Sequence, residues 1–184
     1  MKNRPTDDTK SNEEVKNVVI IGGGASGFAV AREIVQALKC STMENMVKVT
    51  FVAPSPVYVN LASVIDALLG EGSDADGEDN HRLAVRYDEV LGDRCEIKIA
   101  RVVKITPADH LETSGGGDVS LDSGETPRYD ALVLTPGRER EGLFDFEACG
   151  SEEEVCERVK MWRDDIEKAR GVVLYGGRKL GVGM

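Results

Sequence analysis

A glycine-rich stretch near the start of the chain has the residue types and spacing of a phosphate-binding loop. In NVVIIGGGASGFAVAREI, residues 17–34, Gly22, Gly24 and Gly27 follow the pattern G-x-G-x-x-G. Gly22 permits a tight turn, Gly24 lets a pyrophosphate approach the backbone, and Gly27 lets a helix pack on a strand. The amides and the dipole at the helix N-terminus favour phosphate. The pattern predicts a dinucleotide-binding loop; the alternative is a glycine-rich turn without a ligand.

One residue expected beside such a loop is missing. An acidic side chain at the end of the second strand usually binds the ribose hydroxyls of the adenosine, but VTFVAPSP places Ala53 there. Loss of a charge-assisted hydrogen bond costs about 1.5–3 kcal/mol of cofactor affinity unless another group replaces it. Ser55 is the candidate replacement in the same stretch.

The cysteines and histidines do not have the spacing of a redox or metal site. No pair of cysteines has C-x-x-C spacing, and only His81 and His110 are available beside them. A dithiol close in sequence and a zinc site are therefore not expected. We predict buried or incidental thiols at Cys40, Cys95, Cys149 and Cys156.

An acidic stretch at 70–80, GEGSDADGEDN, resembles a calcium loop only in composition. An EF-hand loop needs Gly at position six and Glu at position twelve; counting from Asp74, Asp79 and Val85 stand there. We expect a solvated, mobile loop. No catalytic acid, base or nucleophile is identified. Arg138 and Arg140 are interpreted as solvated surface charge, the alternative being a position near a bound cofactor.

The overall composition excludes several classes of partner. A net charge of −10 argues against a nucleic-acid ligand, because such binding depends on Lys and Arg. No apolar run approaches the roughly 18 residues of a membrane span. Residues 1–16 are polar and acidic, which predicts a disordered N-terminus without a secretory signal. By elimination, we expect a cytoplasmic protein.

The periodicity around the glycine loop predicts a βαβ unit. Val18–Ile21 is a continuous apolar run, typical of a strand buried in a parallel sheet, and Val47–Val52 is a second strand. A helical stripe lies between them, and a short helix is expected over 60–69. The stripe consists of Phe28, Ala31, Ile34, Val35 and Leu38.

The second half of the chain predicts a small antiparallel meander and a long helix. Strands are expected at Glu96–Val103, Val119–Leu121 and Ala131–Leu134, the last being buried. Ser151 with Glu154 forms a capping box. The helix that follows should end at Gly171 and lead to VVLYGGRKLGVGM, residues 172–184. Its apolar face is Val155, Val159, Trp162, Ile166 and Ala169.

Taken together, these segments resemble the pyridine nucleotide–disulfide oxidoreductase superfamily of flavoproteins that bind two dinucleotides. Within it they resemble the branch of apoptosis-inducing factor, ferroptosis suppressor protein and type II NADH dehydrogenases. VVIIGGGASG resembles the FAD fingerprint, and IKIARVVKITPADHLE with VSLDSGETPRYDALVLTPG resembles the stretch ending in an A-T-G segment. SEEEVCERVKMWRDDIEKARGVVLYGG resembles the connecting helix and the start of the NAD(P)H domain.

The resemblance implies an FAD-dependent NAD(P)H oxidoreductase with a quinone-type acceptor. It implies an FAD-binding Rossmann-type domain over 17–150, made of a parallel sheet with a small antiparallel meander. Residues 151–184 would form the connecting helix and the first strand and turn of a truncated NAD(P)H domain. The FAD pyrophosphate would be held by Gly22, Gly23, Gly24, Ala25, Ser26 and Gly27, with Val102 at the adenine and Thr135 and Gly137 in the A-T-G segment. Gly176 and Gly181 would belong to the NAD(P)H turn.

Several positions depart from the family pattern. Pro136 replaces the threonine of the A-T-G segment, Arg178 stands at the second glycine of the second turn, and Gly183 replaces the usual glutamate. Three hypotheses remain open: an FAD-dependent oxidoreductase, a module that binds FAD or another adenine nucleotide without turnover, and an inactive remnant. The sequence does not indicate the oligomeric state.

Overall fold

The computed structural model describes residues 15–42, 45–69, 82–108, 115–137 and 144–173. Four features predicted from the sequence lie outside these ranges: residues 1–14 of the disordered lead-in expected over 1–16, the acidic stretch 70–80, Arg138 and Arg140, and the second glycine turn with Gly176 and Gly181. Lys16, the last residue of the expected lead-in, instead begins a strand. The strands are β1 (Lys16–Ile21), β2 (Val47–Ala53), β3 (Val57–Val59), β4 (Ala84–Arg86), β5 (Cys95–Ile99), β6 (Val102–Pro107), β7 (Gly117–Leu121), β8 (Arg128–Tyr129) and β9 (Ala131–Leu134). The helices are α1 (Ala25–Lys39), α2 (Leu61–Leu69), α3 (Tyr87–Leu91) and α4 (Glu152–Lys168), with a 3-10 turn over Gly92–Arg94.

A four-stranded parallel sheet forms the centre of the structure. Its strand order is β5-β2-β1-β9, and every neighbouring pair is parallel. Ile20 of β1 lies opposite Phe51 of β2 on one side and Val133 of β9 on the other. The βαβ prediction is confirmed, and so is the α/β fold class.

The two faces of the sheet have different partners. Because side chains alternate along a strand, Ile20 and Phe51 pack with helices α1 and α3, where Leu91 is also fully buried. Val19 and Val52 point to the other face and pack with strands β7 and β8. The sheet is therefore enclosed between a helical layer and a second sheet.

The second sheet is the predicted antiparallel meander. Its strand order is β6-β7-β8, and both pairs are antiparallel. Val119, Leu121 and Tyr129 supply its buried side chains. The chain then returns to the parallel sheet as β9, as expected.

The predicted strand Glu96–Val103 is wrong as a single element. It is divided into β5 and β6, which belong to different sheets. The amide of Ala100 makes the last bond to β2, donating to the Ala53 carbonyl at 2.9 Å. Instead, the Arg101 amide donates to Asp122 Oδ1 in the meander, and the Asp122 amide donates to the Arg101 carbonyl, each at 2.9 Å. Alternation alone does not reveal this change of sheet.

The expectation that Ala131–Leu134 is buried is wrong at its ends. Among the described strands, β9 has only β1 as a neighbour and lies at the sheet edge. Leu134 is 55% exposed, whereas Leu132 and Val133 pack against the two faces of the core. Edge position, which depends on tertiary structure, overrides the apolar run.

Helix α4 begins where the capping box predicts. Ser151 Oγ accepts a hydrogen bond from the Glu154 amide at 3.3 Å, and the Glu154 carboxylate accepts from the amide of Gly150 at 2.7 Å. The helix packs on a separate hydrophobic cluster that includes Val57, Val64 and Phe146. The ring of Trp162 lies edge-on to that of Phe146, with 5.1 Å between the ring centroids. Among the described residues, no helix is both long and apolar enough to cross a membrane.

Helix α4 ends slightly earlier than the predicted stop at Gly171. The helix ends at Lys168, and Ala169, at φ −68° and ψ 137°, is already extended. Ala169 is therefore exposed rather than part of the apolar face. Gly171 has no positive φ and is not the helix terminator.

The four cysteines are free thiols in different environments. Cys95 and Cys149 are buried, Cys156 is half-buried and Cys40 is exposed. Burial raises the pKa of the Cys95 thiol to about 12. The prediction of buried or incidental thiols agrees with this arrangement.

We predict that iodoacetamide at pH 8 alkylates Cys40 in the native chain and spares Cys95. Only a thiolate reacts, and Cys95 stays protonated until the pH approaches 12. Peptide mapping by mass spectrometry would measure both sites, with the urea-unfolded chain as the control in which all four react. Because the folded pKa exceeds the unfolded one, the stabilisation from this thiol is full below about pH 8.5 and declines as the pH rises towards 12. Equal labelling of Cys40 and Cys95 in the native chain would contradict this prediction.

Candidate dinucleotide-binding site

The glycine loop lies at the carboxyl edge of the parallel sheet. It joins β1 to α1, and the Gly22 amide donates to the Val52 carbonyl at the end of β2 at 2.9 Å. In open α/β sheets, ligands bind outside the carboxyl ends of the strands. The loop is therefore where a ligand of this fold would be found.

Gly22, Gly27 and Thr135 bring two strands and a helix into backbone contact. Gly22 has φ +118°, and a Cβ there would come closer than 3.0 Å to the Thr135 carbonyl. A Cβ on Gly27 would come closer than 3.0 Å to both the Gly22 carbonyl and Thr135 Oγ1. The amide and hydroxyl of Thr135 both donate to the Ile21 carbonyl at 2.8 Å. Both glycines are thus required by packing, whether or not a ligand binds.

Gly24 has a different environment, because it faces open space. A Cβ on Gly24 would have no atom within 4 Å, and Gly24, Ala25 and Ser26 are exposed. No side chain caps the helix, and its first turn contains no acidic residue. The first amides of a helix have no intrahelical acceptor. Together with the dipole they form a cradle that fits a phosphate.

Gly23 of the loop is supported by Tyr87, a residue that the sequence analysis did not identify. The Tyr87 hydroxyl donates to the Gly23 carbonyl at 2.6 Å, and its ring packs edge-on against Phe51 and Phe28. Burial raises the pKa of Tyr87 well above its usual value, so the hydroxyl remains a donor. The residue follows a three-residue strand and is the first residue of a five-residue helix, elements too short to show a periodic pattern.

The residues at the end of β2 do not provide the missing acid. Ala53 is 1% exposed and lies against Gly23, so an acidic side chain there would be buried. The suggestion that Ser55 replaces it is wrong. Ser55 is buried, and its hydroxyl donates to the Cys149 carbonyl at 2.9 Å.

The remaining predicted residues are divided among three places. Thr135 lies against the loop, whereas Gly137 is exposed at φ +70° with open space around it. Val102 begins β6, where it is half-buried and paired with Leu121. Gly176 and Gly181 are not among the described residues.

A cavity of about 620 Å³ lies beside α4. Trp162 and Ile166 supply apolar walls, and Arg158 is already bonded to the Asp145 carbonyl at 2.6 Å. None of its lining residues belongs to the glycine loop. The loop, with its free amides, is the better candidate for a phosphate ligand.

Comparison with known proteins shows the fold of this chain. No protein-family model matches the sequence, and no curated protein matches it either. Among solved structures, the sulfide:quinone oxidoreductase of the hyperthermophilic bacterium Aquifex aeolicus matches with a TM-score of 0.53 and 19% identity. The match covers 84% of this chain and 33% of that protein, so this chain spans about a third of its length. The likeness agrees with the Rossmann-type fold inferred from the sequence.

We predict that Gly27→Ala destabilises the fold by about 1–3 kcal/mol, because its methyl group would overlap backbone that cannot move. Gly24→Ala, which adds the same group in open space, should change the free energy of unfolding by less than about 0.5 kcal/mol. Urea denaturation of both variants measures the difference. Equal stabilities would refute the close approach of α1 to β1.

Proposed function

We propose that this chain binds the pyrophosphate of FAD at the glycine loop. The observation that carries the proposal is the open space at Gly24 before the uncapped N-terminus of α1. Gly22, Gly23, Gly24, Ala25, Ser26 and Gly27 would form the cradle. Thr135 would brace it, Gly137 would follow at the flavin side, and Val102 would offer a backbone contact to adenine.

We further propose that the unit belongs to an FAD-dependent NAD(P)H oxidoreductase with a quinone-type acceptor. Support comes from the similarity to the branch of apoptosis-inducing factor and from the structural neighbour, which is named as a quinone oxidoreductase. A bound flavin exchanges electrons between a nicotinamide and an acceptor, and that chemistry belongs to the cofactor. The protein supplies position and electrostatics. The NAD(P)H turn with Gly176 and Gly181, the boundary after residue 150 and a cytoplasmic location are parts of the same proposal.

A second candidate function is a module that binds FAD or another adenine nucleotide without turnover, or an inactive remnant. The buried Ala53 favours it, because the usual ribose contact is absent from β2. Pro136, exposed after Thr135, also removes a backbone donor near the proposed flavin side. Neither change affects the phosphate cradle.

The absorption spectrum after incubation with FAD and desalting separates these candidates. Retained bands at about 375 and 450 nm indicate bound flavin. Bleaching of the longer-wavelength band by NADH without oxygen would then support the oxidoreductase over the module. A colourless chain would contradict FAD binding.

We predict that Gly24→Asp strongly reduces flavin retention without unfolding the chain. The backbone of Gly24, at φ −74° and ψ −179°, suits aspartate, and Asp is a favoured N-cap residue. Its carboxylate would occupy the amides and repel phosphate, lowering FAD affinity by about tenfold or more.

The matched control is Gly171→Asp, which adds the same charge at another exposed glycine with open space around it. It should leave flavin retention unchanged. Thermal melting of both variants verifies folding. Normal flavin retention by a folded Gly24→Asp variant would rule out the cradle.

A further inference from the structure

A smaller cavity lies where the second strand of the parallel sheet ends. Its volume is about 300 Å³, near the lower limit of ligand pockets and sufficient for part of a dinucleotide. Pro54, which lines it, directly follows Ala53, and Ala53 packs against Gly23 of the loop. The cavity is therefore beside the phosphate cradle. Its lining residues are Pro54, Arg101, Asp145, Glu147 and Ala148.

An ion pair provides the polar groups of this cavity. The guanidinium of Arg101 contacts Glu147 Oε2 at 2.6 Å, and the two side chains are 65% and 38% exposed. Among the residues that the structure describes, the Glu147 carboxylate pairs with no side chain other than Arg101. One carboxylate oxygen is thus bound in place while the other can accept a hydrogen bond from a ligand.

The backbone around Glu147 is anchored on both sides. The Ser55 hydroxyl donates to the Cys149 carbonyl at 2.9 Å, and Arg158 donates to the Asp145 carbonyl at 2.6 Å. The Glu147 amide donates to Asp145 Oδ1 at 3.1 Å. Across the cavity, Arg101 is fixed by its two backbone bonds with Asp122. The ion pair is therefore presented by two restrained segments.

We propose that Glu147, oriented by Arg101, binds the ribose hydroxyls of the adenosine in place of the acid that Ala53 lacks. This rests on the proposed dinucleotide function, and it assigns the ribose contact to a segment remote in sequence. An ionised carboxylate only accepts hydrogen bonds, which matches a pair of hydroxyl donors. A phosphate on the ribose would be attracted by Arg101 but repelled by Glu147 and Asp145. The site therefore prefers an unmodified ribose.

Titration calorimetry of the 184-residue chain with ADP and with 2′-deoxy-ADP tests the assignment. The wild-type chain should bind ADP about tenfold more tightly than 2′-deoxy-ADP, as expected for a charge-assisted hydrogen bond. Glu147→Gln should lose about tenfold in ADP affinity and should no longer distinguish the two ligands. Such an exposed ion pair contributes little to stability, so the variant should melt as the wild type does.

Glu167→Gln is the matched control, because Glu167 forms a similar exposed pair with Arg163 at 3.1 Å but does not line the cavity. It should keep the wild-type affinity and the preference for ADP. The assignment is overturned if Glu147→Gln retains that preference, if ADP binding is undetectable, or if adenosine 2′,5′-bisphosphate binds more tightly than ADP. If the wild-type chain retains flavin but Glu147→Gln binds ADP as the wild type does, the ribose assignment fails and the proposed function stands. A Glu147-dependent preference for ADP in a chain that retains no flavin would preserve the assignment and refute FAD binding.

Discussion

The contact of Gly27 with the Gly22 carbonyl is the constraint on which the rest of the site depends. It allows α1 to begin directly against the end of β1, and Thr135 joins the end of β9 to the same point through the Ile21 carbonyl. A methyl group at either glycine would push the helix away from the sheet. Because α1 packs this closely on the end of β1, its first amides lie at the carboxyl edge of the sheet. Gly24, which precedes them, faces open space.

The far side of the edge is shaped by segments that belong to neither β1 nor α1. Tyr87 packs beneath Gly23, and its hydroxyl satisfies the carbonyl of that glycine. The end of β2 is closed by Ala53 and tied to Cys149 through Ser55. The Ser55 contact holds the segment that carries Glu147 beside the end of β2, the strand whose end usually carries the ribose-binding acid.

The sequence predicted the elements whose pattern is local and regular. The apolar run before Gly22, the helical stripe through Ala31 and Val35, and the capping box at Ser151 all have periodic or motif signals, and the structure contains each of them. Prediction failed where tertiary neighbours decide the outcome. The break between β5 and β6 depends on the bonds of the Arg101 backbone with Asp122 of the meander. The exposure of Leu134 depends on its place at the edge of the sheet.

The candidate site was predictable to a similar extent. Gly22, Gly24 and Gly27 follow a spacing rule, and the structure gives each glycine a distinct physical environment. No sequence rule identifies Tyr87, Arg101 and Glu147. The contacts of Tyr87 and Arg101 join segments that are 64 and 21 residues apart. Glu147 lies in a loop between elements. Ser55 does lie just after the end of β2, but its hydroxyl donates to the Cys149 carbonyl instead of replacing the missing acid.

An amide NMR titration with ADP tests most directly whether the N-terminus of α1 binds phosphate. We expect the largest shifts on the amides of Gly24, Ala25, Ser26 and Gly27, with saturation at one equivalent of ligand. If these amides do not move while those near Trp162 do, the ligand occupies the cavity along α4 and the phosphate cradle is wrong. Unchanged spectra at millimolar ADP would contradict it as well.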